Sequence, residues 1–289
     1  MTSRSPTLDP TRPWQFRAEE ERSSKGEVTL VNTLFLTNRE CPWRCVMCDL
    51  WRNTLTETVP VGAIPSQIDY ALARLPSAPV IKLYNSGSFF DPRAIPVADY
   101  PAIARQLDRF ERVIVESHPA LIGDNCFRFR DLISGRLEVA MGLETVHPEV
   151  LARLNKGMTL EQFSSAANAL LGNDIDLRAF ILVKPPSLSE EEALYWGERS
   201  LDFASSRGVS ATSLIPTRGF SPPAIQTLEA CQEYGLNLQQ GRVFADLWDL
   251  EKFSTCHECY SARHKRLREM NLCQRIPMPV DCRVCGAGN

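Results

Sequence analysis

The residues best suited to chemistry are three cysteines in the first fifth of the chain. Cys41, Cys45 and Cys48 have the spacing C-x3-C-x2-C and follow an apolar, strand-like run over 28–36. Three thiolates on one short loop can hold three irons of a cubane 4Fe–4S cluster and leave the fourth iron without a protein ligand. An open iron suits a cluster that binds and cleaves a small molecule. A zinc loop is the alternative, but three close cysteines without a nearby fourth fit a closed zinc site less well.

A second group of cysteines lies near the end of the sequence. Two C-x2-C pairs are accompanied by one further cysteine and two histidines, namely Cys256, Cys259, Cys273, Cys282, Cys285, His257 and His264. The spacing resembles a zinc ribbon with a slightly long insert, in which Cys273 is spare. An auxiliary iron–sulfur cluster that uses four of the five cysteines fits as well. The sequence therefore predicts a metal site, with zinc and a second cluster both open.

Composition narrows the class of protein. The 289 residues are 44% hydrophobic and 23% charged, which fits one large globular domain with or without a small appendage. The sequence contains no run of about 18 apolar residues, so no membrane span is predicted. Residues 1–16 lack the apolar core of a signal peptide. Eight of the ten cysteines lie in the two groups above, so metal ligation is favoured over disulfides and a cytoplasmic location is expected. Cys126 and Cys231 are expected to be packed thiols.

The charge is distributed unevenly. The whole chain carries −3, which gives no global indication of nucleic-acid binding, but residues 251–285 carry +3. The basic residues of this segment include Arg263, Lys265, Arg266 and Arg268. They predict either a surface that contacts RNA phosphates or a solvated helical face.

The pattern of apolar residues indicates three parts. Residues 1–26 are polar and are predicted to form an N-terminal extension, partly disordered or draped over the domain. Residues 27–245 alternate six times between strand-like and helix-like segments, which demands a parallel sheet with crossover helices and an α/β fold. Residues 246–289 form a Cys-rich, metal-binding tail.

Polar and glycine motifs follow each predicted strand. They begin at Cys41, Ser86, Ser117, Glu144, Lys184 and Pro216. In parallel α/β folds the carboxyl ends of the strands carry the chemistry. The shared position of these motifs across six units indicates one site at that edge of the sheet.

Several motifs together show a family resemblance. The cysteine spacing resembles the signature of the radical S-adenosylmethionine (SAM) enzymes, with an elongator- and methylthiotransferase-type core. Five further segments are similar to the radical SAM subunit of archaeosine synthase: YNSGSFFD (84–91), ESHP (116–119), EVAMGLET (138–145), LNKG (154–157) and FILVKPP (180–186). The resemblance covers roughly residues 30–200. It fades in the last third, where residues 213–219 depart from the asparagine-rich pattern of that family.

The resemblance implies a fold and a reaction. The fold is a partial (β/α)6 TIM-like barrel of the radical SAM type with a small C-terminal Cys-rich metal module. Cys41, Cys45 and Cys48 ligate the catalytic cluster, and SAM chelates the open iron. One electron then splits SAM into methionine and a 5′-deoxyadenosyl radical. In the archaeosine family this radical acts on a lysine-adducted 7-deazaguanine of tRNA and leaves a formamidine.

The resemblance also implies residues that contact SAM. The expected set is Met47, Asn85, Ser86, Gly87, Ser117, Glu144, Lys156, Arg178 and Lys184. Met47 is expected to pack on the adenine. The turn at 85–87 is expected to hold the SAM ammonium through backbone carbonyls, and Glu144 to accept the ribose hydroxyls. Lys156 and Arg178 are expected to neutralise the SAM carboxylate. His118 is a further candidate, as a proton donor or SAM contact, although a lone histidine is more often structural.

The predicted partners are tRNA, an electron donor such as flavodoxin or ferredoxin, and a partner subunit, without a membrane. Two other functions stay open at this point. One is a radical SAM enzyme that acts on a small molecule or peptide. The other is a non-catalytic iron–sulfur or zinc RNA-binding protein, which would need neither SAM nor glycine-rich strand ends.

Overall fold

A computed structural model of the chain describes residues 8–218, 220–221, 223–254 and 256–285. Residues 1–7 of the predicted extension, Gly219 of the 213–219 segment, and residues 255 and 286–289 of the predicted tail lie outside this part. The described chain falls into two units. The first contains residues 8–21, 29–142 and 156–177, and the second contains residues 22–28, 143–155 and the described residues from 178 onward. The predicted boundaries at 26/27 and 245/246 stay predictions.

Eight strands pair in sequence order. They are β1 (Gln15–Arg22), β2 (Val28–Phe35), β3 (Val80–Tyr84), β4 (Arg112–Ser117), β5 (Arg136–Glu144), β6 (Asp176–Val183), β7 (Ala211–Pro216) and β8 (Arg242–Ala245). Pairing is parallel from β2 through β5 and again from β6 through β8. The runs of buried β-branched and aliphatic residues on these strands are typical of a parallel sheet covered on both faces.

Helices follow the strands as crossovers. They are α1 (Ala63–Leu72), α2 (Tyr100–Leu107), α3 (Asp124–Leu132), α4 (Pro148–Arg153), α5 (Leu160–Gly172), α6 (Glu190–Ser206), α7 (Ile225–Asn237) and α8 (His257–Cys273). Short 3-10 helices occupy Leu50–Asn53, Val97–Asp99, Pro119–Leu121 and Leu250–Phe253. A capping box starts α6, with reciprocal hydrogen bonds between Ser189 and Glu192. Cys126 and Cys231 are buried, as expected for packed thiols. No helix in the described ranges is long and apolar enough to cross a membrane.

The structure contains two strands that the sequence analysis did not predict, β1 and β8. β1 lies within the predicted extension, where the run Glu19-Glu20-Glu21 indicated a solvated segment. The buried ammonium of Lys82 on β3 explains the difference, because it pairs with Glu19 at 3.0 Å and with Glu21 at 2.6 Å. Burial acts to raise the pKa of Glu19, but the charges of Lys82 and Arg17 outweigh burial and hold it below its usual value.

A short loop separates the helices α4 and α5. Asn155 and Gly157 adopt left-handed backbone conformations, with φ of 55° and 68°, and end the helical run of α4. Thr159 and Gln162 then form a capping box that starts α5. Lys156 therefore lies in a loop between two helices.

Ion pairs join the beginnings of the strands in the first unit. The Arg112 guanidinium contacts Glu138 at 3.0 Å and Asp176 at 2.5 Å, and Arg136 contacts Asp176 at 2.7 Å. Burial acts to raise the pKa of Asp176, but the hydrogen bonds and charges of the two arginines outweigh it and lower the pKa. This end of the strands is thus held by internal charge pairs, and the polar residues available for chemistry lie at the opposite ends.

Candidate functional site

The three cysteines of the loop at residues 41–48, called here the cysteine loop, share one cavity. All three are half-buried, and the cavity they line has a volume of about 230 Å³. Its other lining residues are Trp43, Arg44, Val46, Trp51 and Ser86. The Cys48 amide donates to the Cys45 carbonyl at 3.1 Å, which closes a turn between the second and third thiols. Three soft sulfur ligands around one space fit iron of a cluster.

The pKa values of two thiols in this loop, those of Cys41 and Cys48, are raised. Withdrawal from water raises the pKa of the Cys41 and Cys48 thiols to about 11, and the neighbouring Cys45 adds to the effect. The Trp43 backbone amide and the charge of Lys156 partly offset it at Cys41. Since metal ligation requires thiolates, loading of this site is expected to release protons.

Trp43 holds the cysteine loop against two neighbouring segments of the first unit. Its indole stacks on the His118 ring, with centroids 3.6 Å apart and planes inclined by 11°. The indole also lies against Gly157, where an added Cβ would be 3.0 Å from the ring. The cysteine loop is therefore held from the end of β4 and from the loop that contains Lys156.

His118 stacks on the Trp43 indole as a neutral imidazole ring. Its Nδ1 accepts a hydrogen bond from the Ala120 amide at 3.1 Å, so Nε2 carries the proton and faces the Lys156 carbonyl at 3.0 Å. Burial and the Lys156 charge lower the pKa of His118 to about 4. Both ring nitrogens are thus engaged by backbone groups, which supports the structural role for His118 over a proton donor.

The turn at residues 85–87 is held by Glu116, whose role the sequence analysis did not recognise. The half-buried carboxylate accepts hydrogen bonds from the amides of Asn85, at 2.5 Å, and Gly87, at 3.3 Å. Burial raises the pKa of Glu116 to about 6, while the amides of the turn and the charge of Lys156 act in the opposite direction. Because this pKa exceeds the ordinary value of 4.5, Glu116 contributes most stability below pH 4.5 and loses it as the pH rises through about 6.

The 85–87 turn lies directly against the cysteine loop. Ser86 lines the cavity and has a left-handed φ of 53°, a conformation that non-glycine residues adopt at a cost. A Cβ on Gly87 would lie 3.4 Å from the Cys41 Cβ. Asn85 is fully buried, and its side-chain amide finds no hydrogen-bond partner within the described chain. A strained turn beside three thiols, with an unsatisfied amide, is what a ligand-holding site requires.

Three other predicted contacts belong to the same unit. Met47 is half-buried within the cysteine loop. Ser117 is buried, and its hydroxyl donates to the His118 carbonyl at 3.2 Å. The half-buried Lys156 carries the charge that acts on Cys41, Glu116 and His118. The structure therefore brings Cys41, the 85–87 turn and Lys156 together.

The remaining predicted SAM contacts belong to the second unit. Glu144 ends β5, is buried and has a left-handed φ of 65°. Arg178 on β6 is buried, with its guanidinium 5.2 Å from the centre of the Phe244 ring. Lys184 follows β6 with a φ of 57°, and its ammonium pairs with Glu190 at 2.6 Å. Their contact with SAM stays a prediction.

The C-terminal cysteines form a second site within the second unit. The sulfur atoms of Cys256, Cys259, Cys282 and Cys285, the four-cysteine group, all lie within 4.8 Å of one another. Cys273, at the end of α8, is exposed and is not a member of this group. His257 and His264 also lie outside it.

Two of the four arginines and lysines predicted to face RNA or solvent do neither. Arg263 and Arg266 have side chains only 4% and 5% exposed, and both pair with Glu229 on α7. The prediction was wrong for these two because their carboxylate partners lie more than 30 positions away in the sequence. Lys265 and Arg268 are exposed.

Comparison with solved structures identifies the fold. The chain matches Elp3 of Methanocaldococcus infernus with a TM-score of 0.52 at 12% identity, over 73% of this chain and 59% of that one. It matches methylornithine synthase, PylB, with the same TM-score at 11% identity, over 74% and 64% of the two chains. These similarities confirm the predicted fold class, a partial TIM-like barrel of α/β type.

Sequence comparison adds the family resemblance. No protein-family model matches the chain. An uncharacterized protein of Methanocaldococcus jannaschii is 28% identical over 60% of this chain and 50% of its own length. Archaeosine synthase subunit beta of Methanosarcina acetivorans is 26% identical over 69% of this chain and 60% of its own. The subunit beta of Thermococcus kodakarensis is 26% identical over 42% and 39%. The chain thus spans about half to three-fifths of the length of the first two relatives.

These findings confirm the similarity to archaeosine synthase subunit beta that the sequence motifs predicted.

The anchor of Trp43 gives a first testable prediction. Gly157→Ala should lower the iron retained after anaerobic reconstitution by roughly half or more, because a displacement of about 1 Å is enough to spoil a preorganised site. The left-handed φ of 68° should cost only about 1–2 kcal/mol of unfolding free energy. Element analysis and a denaturant titration measure the two effects. Gly172→Ala is the matched control, since a Cβ there meets nothing within 4 Å. Equal iron in both variants would contradict the anchoring role.

The contacts of Glu116 give a second prediction. Glu116→Ala should raise the Kd for SAM about tenfold or more, because hydrogen bonds to a charged group contribute about 1.5–3 kcal/mol and the 85–87 turn loses them. Glu116→Gln keeps an acceptor oxygen and should bind SAM more tightly than the alanine variant. Iron content should stay normal in both. A Kd unchanged by the alanine substitution would remove Glu116 from the support of this turn.

Proposed function

We propose that the chain is a radical SAM enzyme that cleaves SAM reductively at a 4Fe–4S cluster and acts on a modified 7-deazaguanine of tRNA. The observation that carries the proposal is the shared cavity of Cys41, Cys45 and Cys48, with Ser86 of the turn on its wall. Three protein thiolates satisfy three irons and leave one open to a ligand. The resemblance to archaeosine synthase subunit beta supports the same chemistry.

In this proposal, side chains and backbone groups of the chain position SAM next to the cluster. Cys41, Cys45 and Cys48 would hold the cluster, which would supply the electron for the reductive cleavage of SAM. The 85–87 turn orients the methionyl end of SAM beside Cys41, and the Lys156 ammonium stands near the same cysteine to balance negative charge. Trp43 and Trp51 line the cavity and exclude water from it.

The other contacts in the proposal come from strand ends of the second unit and from the cysteine loop. Glu144 is assigned to the ribose hydroxyls, Arg178 to the SAM carboxylate and Met47 to the adenine. Ser117 and Lys184 complete the assigned set. The left-handed backbone at Glu144 and Lys184 supports this assignment, since strain of this kind concentrates at functional sites.

The substrate part of the proposal rests on the curated relatives. Two of them are named archaeosine synthase subunit beta, which suggests a nucleoside of tRNA as the substrate and a further subunit as a partner. An external electron donor such as flavodoxin or ferredoxin is assigned to reduce the cluster. A reducing cytoplasm, which disfavours disulfides, suits this chemistry.

A third prediction tests the cluster. Protein reconstituted with iron and sulfide under anaerobic conditions and reduced with dithionite should convert SAM to 5′-deoxyadenosine. Cys45→Ala should abolish this conversion, because two thiolates do not hold the cubane. Cys273→Ala is the matched control and should retain full activity, since that cysteine is exposed and far along the sequence. Chromatography of the nucleoside products measures both. Normal deoxyadenosine formation by Cys45→Ala would overturn the cluster assignment.

A fourth prediction tests the substrate separately. With tRNA that carries the lysine-adducted 7-deazaguanine, the enzyme should form the formamidine nucleoside, and mass spectrometry of digested tRNA should detect it. The same tRNA without the modified base should give no product. Deoxyadenosine formation without any change in the modified base, in the presence of the partner subunit, would reject the tRNA substrate and leave the SAM chemistry intact.

A further inference from the structure

The four-cysteine group is a preformed site that the proposed reaction does not use. Cys256 and Cys259 lie at the start of α8, and Cys282 and Cys285 lie in the segment that follows the helix. Cys256, Cys259 and Cys282 are buried to more than nine-tenths and pack with Val280. Four thiols are therefore brought together by two short stretches of chain in an apolar setting.

The distances between the sulfur atoms distinguish one ion from a cluster. Cys256 Sγ lies 3.7 Å from Cys282 Sγ, and Cys259 Sγ lies 3.6 Å from Cys285 Sγ. A tetrahedral zinc ion at about 2.3 Å from each sulfur places the sulfurs about 3.8 Å apart. In a cubane each cysteine binds a different iron, so the sulfurs must stand farther apart than around one ion. Two disulfides are also excluded by these distances, since bonded sulfurs lie about 2.05 Å apart.

A buried guanidinium donates a hydrogen bond to one of the four sulfur atoms. One Zn²⁺ with four thiolates has a net charge of −2, which is costly in an apolar setting. The Arg263 Nε donates to the Cys259 Sγ at 3.3 Å, and the same guanidinium pairs with Glu229. The Gln226 amide faces the Cys285 Sγ at 3.6 Å. Hydrogen bonds of this kind orient metal ligands and tune their charge.

Arg263 and Arg266 attach the segment after α8 to the rest of the second unit. Arg263 donates to the Val280 carbonyl at 3.3 Å, and Arg266 donates to the carbonyls of Met278 and Pro277, each at 2.9 Å. Arg266 also pairs with Glu233 of α7 at 2.6 Å. The segment has no regular structure of its own, so side-chain and metal contacts must hold it in place.

We propose that the four-cysteine group binds one zinc ion in a closed, tetrahedral, structural site, with Arg263 as the hydrogen-bond donor that stabilises the Cys259 thiolate. All four positions are filled by protein sulfur, so no position is open to a substrate, and the ion fastens the segment at 278–285 to α8. The site is independent of the cluster at the cysteine loop and stands whether or not the chain cleaves SAM.

Metal analysis of the full chain tests this proposal. A Cys41→Ala, Cys45→Ala, Cys48→Ala triple variant should contain about one zinc and almost no iron. Loaded with Co²⁺ alone, it should show the intense visible absorption of tetrahedral cobalt bound by thiolates. If the triple variant does not fold, the wild-type protein should still contain about one zinc beside the iron of the first cluster. About four irons in the triple variant, or thiols that titrate only after reduction, would overturn the proposal.

Matched substitutions identify the ligands. Cys282→Ser should lose the zinc, whereas Cys273→Ser, which changes a cysteine of the same tail outside the group, should retain it. Arg263→Gln should release zinc to a chelator at least several times faster than wild type, and Lys265→Gln, on the exposed side of α8, should not. The rate of zinc release is read with a colorimetric chelator and needs no enzyme activity. Zinc retained by Cys282→Ser, or equal release rates for the two helix variants, would reject the assigned ligand set or the role of Arg263.

Discussion

The cysteine loop depends on the stacking of one indole on one imidazole. Between Cys41 and Cys48 the chain forms no helix or strand, and a loop without a ladder of backbone hydrogen bonds must be positioned by side chains. Trp43 supplies that contact through His118, whose two nitrogens are fixed by the Ala120 amide and the Lys156 carbonyl. A protonated His118 could not accept from Ala120, so the neutral ring is a condition for the anchor.

Around this anchor, backbone strain and a carboxylate shape the wall of the cavity. The 85–87 turn requires a left-handed Ser86, which costs free energy, and the amides of the turn point to Glu116 instead of water. The carboxylate itself is disfavoured as an anion by its withdrawal from water. Each of these costs is tolerated because the surrounding strands are fixed by parallel pairing and by charge pairs at their opposite ends. A rigid sheet therefore allows a strained and preorganised rim.

The sequence made the regular part of this fold predictable and concealed the side-chain pairings. Buried apolar runs predicted β2 through β7, because each strand of a parallel sheet must be apolar on both faces. The strand β1 was not predicted, because the acidic residues Glu19 and Glu21 are typical of a solvent-exposed segment. Their pairing with Lys82 on β3 is evident only from the structure. The role of Glu116 was missed for a related reason. The neighbouring sequence of a single acidic residue at the end of an apolar strand does not indicate which groups its carboxylate contacts. Arg263 and Arg266 looked like a basic surface until α7 placed Glu229 beside them.

The two cysteine sites contain the same type of metal ligand, the cysteine thiolate, but differ in the spacing of the sulfur atoms and in the groups that surround them. At the cysteine loop three thiols line an open cavity, and the neighbouring groups are a strained turn, an ammonium and aromatic rings. At the four-cysteine group the sulfur atoms form two pairs at 3.7 and 3.6 Å, and all four lie within 4.8 Å of one another. The neighbouring group is a guanidinium that is itself held by a carboxylate. Three thiolates in an open cavity would leave an iron with an open position, which favours reactivity. Four thiolates would fill every position around one ion, so the second site would serve to hold the segment at 278–285 in place.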